Sequence, residues 1–138
     1  MPTATPTPSP TPDTTGPTIT DISESADPIY DTFAVSLCPV TTTTISATVT
    51  DPSGLNYVKL YRRFFDGVNA PTSYVDAGAV FSAGSWSATI DPPDFPAPTD
   101  GGNPGRVDWY WQAQDSNGNT NASGVNSTTV YDCGSVIL

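Results

Sequence analysis

From Thr18 onward, apolar and polar residues alternate in short runs separated by turn-forming clusters, and no segment keeps a helical period. "TITDIS" reads as a first strand. "TTISATVTD" puts Ile45, Ala47 and Val49 on one face and threonines and serine on the other. "DPSG", Asp51 to Gly54, is a turn by composition. "NYVKLYRRF" then turns Val58 and Leu60 inward and Lys59, Tyr61 and Arg63 outward. "WSATI" repeats the device with Trp86, Ala88 and Ile90, and "NSTTVYDC" closes the series. The Pro-, Gly- and Asp-rich "DPPDFPAPTDGGNPG" is a loop. Short strands at this spacing predict an all-β chain folded as an antiparallel sandwich of about seven strands.

The densest run is "RVDWYWQAQDSNGNT", Arg106 to Thr120. Its two tryptophans form either a sugar-stacking platform or the core of one strand. Alternation places Val107, Trp109, Trp111 and Ala113 on one face, and Asp108, Tyr110, Gln112 and Gln114 on the other. The first set is wholly apolar, the second polar apart from one tyrosine. That is the pattern of a sheet packed on one side and wet on the other, so the tryptophans are assigned to the core with Trp86. A neighbouring strand would set Lys59, Tyr61 and Arg63 beside Asp108, Tyr110 and Gln112. Such a face is either ordinary cross-strand pairing or a shallow binding surface on Tyr61, Tyr110, Lys59, Arg63 and Gln112.

The segment before Thr18 changes the picture. "PTATPTPSPTPDTTGP" holds no apolar periodicity, and proline keeps such a run extended. Residues 1–16 are therefore expected to be a Pro/Thr linker and 17–138 one domain. Met1 is followed by no basic and apolar leader, which suggests a start placed on a piece of a longer secreted protein. No apolar stretch approaches the length of a membrane span, and the closing "GSVIL" is too short to insert.

Charge narrows the partners. Fourteen acids against four bases give a net charge of −10, which argues against nucleic acid and anionic membrane surfaces. Two cysteines without metal-type spacing, Cys38 and Cys133, are read as one disulfide formed in an oxidising compartment. Two buried thiols are the alternative. The bridge would close a loop of about 95 residues, worth roughly 4 to 5 kcal/mol in the chain-entropy model.

"TTISATVTDPSGLNYVKLYRRF", then "WSATI", then "VDWYWQAQDSNGNT" together resemble bacterial immunoglobulin-like, fibronectin-type-III-like domains of secreted and cell-surface multidomain proteins. The matching features are the Asp51–Gly54 turn before the Val58–Arg62 strand, and the Ala113–Asn119 turn after the penultimate strand. The resemblance runs from Pro17 to Cys133 and implies an immunoglobulin-like sandwich with a spacer, adhesive or accessory role. It departs from antibody domains, whose cysteines sit on facing core strands.

Candidate chemistry is sparse. Without histidine there is no Ser-His-Asp or Cys-His arrangement. Asp91 and Asp94 could form a carboxylate pair, but nothing visible raises either pKa, so no enzyme activity and no cofactor are expected. Asp115, Asn117 and Asn119, with Asn121 and Gly118, resemble the start of a calcium loop lacking its bidentate Glu; Asp51 and Asp100 are conceivable additions, and a plain hairpin turn is the simpler reading. Lys59, the sole lysine, points outward, against an isopeptide crosslink. Asn121 and Asn126 begin glycosylation sequons. The expected role is a non-catalytic spacer or adhesion module at the cell surface or outside the cell. Its partners would be neighbouring domains of the same polypeptide and a glycan or surface protein. The alternative is a carbohydrate-binding accessory module using the tyrosine face.

Overall fold

The computed structural model describes residues 11–31, 40–93 and 104–131. Cys38, Cys133, Asp94 and Asp100 lie outside them, so the disulfide and the Asp91–Asp94 pair are not described.

Ten strands form among the described residues: β1 (Thr18–Glu24), β2 (Ile29–Tyr30), β3 (Thr43–Thr50), β4 (Leu55–Phe65), β5 (Val75–Asp76), β6 (Val80–Ser82), β7 (Ser85–Ile90), β8 (Gly105–Asp115), β9 (Thr120–Ala122) and β10 (Asn126–Tyr131). Six of these strands are long enough to show a period; β2, β5, β6 and β9 are pieces of two or three residues that do not. One sheet runs β1-β3-β7-β6 and the other β2-β10-β8-β4-β5. Strand β9 pairs with β8 on the same side as β10: Gln112 faces Ala122 and Trp109 faces Asn126. Between them Ser123 bridges the break, its N–H donating to the Trp111 carbonyl (2.8 Å) and its hydroxyl accepting from the Trp111 N–H (2.8 Å).

The two sheets pack face to face around one apolar core, making a β-sandwich. Ile45, Ala47 and Val49 from β3 and Ala88 and Ile90 from β7 meet Val58 and Leu60 from β4, and Val107, Trp109, Trp111 and Ala113 from β8. The indole question resolves toward the interior, with Trp111 fully buried and Trp109 3% exposed. Trp86 differs: it is only half-buried, because its neighbour β6 is an edge strand, and it packs on the exposed Phe81 ring at 5.4 Å. A polar link also spans the sandwich. Trp109 Nε1 donates to Thr128 Oγ1 at 3.0 Å, and that hydroxyl donates to Glu24 Oε2 on the opposite sheet.

The expected linker is already part of the packed body at its end. Pro17 is fully buried, and its carbonyl accepts from Asn121 Nδ2 at 2.9 Å. Asn119 Nδ2 donates to the Asp13 carbonyl at 2.7 Å. Gly16 lies so close to β9 that a Cβ there would sit 2.4 Å from the Thr120 carbonyl oxygen. Only glycine permits that approach. Contacts with the sandwich therefore reach back to Asp13, ahead of the expected boundary at residue 17.

Candidate functional site

Two clusters of side chains have chemistry to offer. The first is the outward face of β4 and β8. Their antiparallel register sets Lys59 opposite Gln112, Tyr61 opposite Tyr110, and Arg63 opposite Asp108, as alternation predicts. Tyr61 and Tyr110 stack at 5.3 Å, and Tyr74, arriving just before β5, meets Tyr110 edge-on at 5.0 Å. Burial among these rings, then their neighbouring hydroxyls, push the Tyr110 hydroxyl above its ordinary value, so it stays neutral. Because the rings contact each other, they do not lie side by side as a flat platform for a neutral sugar. Tyr74 was not legible in the sequence, since a two-residue strand leaves no periodic signal.

At one end of this face Asp108 is 3% exposed despite its outward position. Arg63 Nε and Arg106 Nε each approach one of its oxygens at 2.8 Å, and the Ser127 hydroxyl donates to Oδ1 at 2.7 Å. Burial raises the carboxyl's pKa; Ser127, Arg63 and Arg106 together outweigh it and leave it below the ordinary value. Each guanidinium lies over an aromatic ring, Arg63 Cζ 4.7 Å from the Tyr74 ring centre and Arg106 Cζ 4.3 Å from that of Phe65. Lys59 Nζ lies 4.9 Å from the Tyr57 ring centre.

The second cluster joins the chain's first described residues to two turns. Asp13, Asp51 and Asp115 each bring a carboxylate oxygen to within 4.8 Å of the others. The Ser53 hydroxyl lies 3.0 Å from Asp13 Oδ2 and 2.5 Å from Asp51 Oδ1, so its one proton serves either carboxylate. Asp115 is fully buried. Its Oδ1 accepts the N–H groups of Asn117 (2.9 Å) and Asn119 (2.8 Å), and its Oδ2 accepts Asn119 Nδ2 (2.9 Å). Burial raises this carboxyl; the Asn119 amide and the two main-chain donors pull it down by more.

The spacing at 115, 117 and 119 thus builds a turn. Asn117 presents its main-chain N–H and Asn119 its amide nitrogen, where a calcium ligand must present oxygen. Gly118, at φ 89°, supplies the left-handed residue that closes it. The oxygens that do converge belong to Asp13, Asp51 and Asp115. Of these Asp51 was legible as a loop candidate; Asp13 was hidden in a Pro/Thr tract and is brought in by tertiary contact alone.

Comparison with family models, with curated proteins and with solved structures gives no match for this chain.

Proposed function

We propose that this chain is a non-catalytic extracellular spacer or adhesion module with an immunoglobulin-like sandwich. The strand order supports the fold. Reading β1, β3, β7 and β6 as strands A, B, E and D, and β10, β8, β4 and β5 as G, F, C and C′, gives an order like that of an immunoglobulin sandwich, with the short β2 and β9 outside it. The Pro/Thr tract and the motifs around Asp51–Gly54 and Ala113–Asn119 point the same way.

One observation carries the functional reading. The chain comes in against the Asp115 end of β8, where Asn119 holds the Asp13 carbonyl. It goes out along β10 at the other end, where Val130 pairs with Gly105. The length of β8 separates the two points, roughly 30 Å at about 3.3 Å per residue. A module whose described residues begin and end at opposite poles holds neighbouring domains apart, whereas one where they begin and end side by side would not. Anchoring of Asp13, Gly16 and Pro17 makes the upstream junction stiff as well.

Single-molecule pulling through residues 12 and 131 tests this. One cooperative rupture is expected, as the β1–β3 and β10–β8 ladders are loaded together. Smooth extension without a rupture would remove the load-bearing role.

A further inference from the structure

The chain's four bases are not scattered. Lys59, Arg62 and Arg63 lie on β4 and Arg106 on β8, two adjacent strands, while fourteen acids are spread over the sequence. Arg62 shares the inward side with its partner Trp109 and stacks on Phe64. The other three stand on the outward face with Tyr61, Tyr74 and Tyr110. The acids paired onto that face are Asp108, gripped by both arginines, and Asp76, opposite Tyr61 at the β5 margin. We infer that this face binds an acidic polysaccharide whose carboxylates are those of uronic acids, an inference that rests on the adhesive side of the reading above.

Geometry and charge both favour that ligand. Arg63 and Arg106 engage Asp108 through Nε and keep side-chain exposures of 33% and 40%, against 4% for Asp108. Their outer Nη groups are therefore available to a second carboxylate, which a planar guanidinium accepts in a two-pronged fashion. The Tyr74 and Phe65 rings, in contact with the two guanidinium groups, restrain both side chains before binding, which lowers the ordering cost. Lys59 extends the positive line along β4 beside the Gln112 amide, a further donor for sugar hydroxyls or carboxylates. A line of separated charges suits an extended linear polymer. The tyrosines, stacked on each other, offer hydroxyls and edges in place of open faces, which disfavours nucleobases and neutral sugars alike. A net charge of −10 repels a densely charged polyanion at long range, and a uronate chain, less dense, meets the one region where bases gather.

The test is retention and calorimetry of the whole chain on polygalacturonate, on a neutral glucan and on a sulfated glycan. Polygalacturonate is expected to bind and to be released by about 0.5 M NaCl, where the screening length falls to a few ångströms. Lys59→Glu is expected to weaken binding about tenfold or more. Arg63→Lys keeps the charge and an ion pair to Asp108 but loses the fork, and is expected to weaken it several-fold. Arg62→Gln, which deletes the same charge from the other side of the same strand, should leave it unchanged. Circular dichroism and melting of each variant separate lost binding from lost folding. Absence of polygalacturonate binding, equal binding of neutral glucan, preference for the sulfated glycan, or equal loss in Arg62→Gln would each overturn the inference. A chain that ruptures cooperatively under load yet ignores polygalacturonate keeps the spacer reading and loses this one.

Discussion

Thr128 and Glu24, 104 residues apart, meet across the space between the sheets, the threonine hydroxyl donating to Glu24 Oε2 while accepting from the indole of Trp109. This is a polar pin through an apolar sandwich. Thr128→Val keeps the shape and removes both bonds, leaving the buried Trp109 N–H without an acceptor. Urea unfolding should show a loss of about 1–3 kcal/mol with an unchanged slope. A neutral outcome would mean that water replaces the hydroxyl.

The same pin responds to pH. Burial, offset in part by the Thr128 bond and reinforced by nearby Asp27, raises the Glu24 pKa on folding. The native state thus holds this proton more tightly than the unfolded chain. Its favourable contribution is present below the unfolded Glu value, about 4.3, and is lost as pH rises through the higher folded value. Glu24→Gln, which keeps an acceptor for Thr128, should be as stable as the parent or more so at pH 7. Asp108 acts in the opposite sense. Its folded pKa is depressed, so its contribution is full above the unfolded Asp value, about 3.9, and is lost as pH falls through the lower folded value. Acid melts of Asp108→Asn should show a flatter decline below pH 4 than the parent.

Gly16 should tolerate no side chain. In Gly16→Ala the new methyl would sit against the Thr120 carbonyl at 2.4 Å, and main chain cannot step aside cheaply. The expected cost is about 1–3 kcal/mol. Hydrogen exchange should localise it to residues 13–17 and the 119–122 segment, with the β4–β8 ladder unaffected.

Asp115 is the acceptor on which its turn depends, taking three N–H donors from Asn117 and Asn119. Asp115→Ala should therefore lower the melting temperature more than Asp51→Ala. Because three of the roughly four lone-pair sites of Asp115 already accept N–H donors, it has about one left to offer a divalent cation. Melting in millimolar calcium and in chelator is expected to coincide. A clear rise in calcium would turn the Asp13, Asp51 and Asp115 group into a metal centre.

Much of the architecture is legible in the pattern of residues. The alternation of "VDWYWQA" predicts which side of β8 is buried, and the partner strand's "VKLYRR" predicts the pairs on the wet side. Three kinds of feature escape that reading. Strands of two or three residues, such as β5 and β6, are shorter than any period that could reveal them. Burial of Asp108 depends on two arginines converging from different strands, and alternation by itself calls the position exposed. Asp13 belongs to a tract whose composition says extended and unpacked, and only the turns at Asp51 and Asp115 give it a place.

Opposite poles for the incoming and outgoing chain have an arithmetic consequence. Copies placed in series would add their lengths, each contributing roughly 30 Å of reach by the strand rise. Height above a surface would then be counted in repeats, and a gene could lengthen or shorten its product's arm by duplication or deletion without redesigning a single fold.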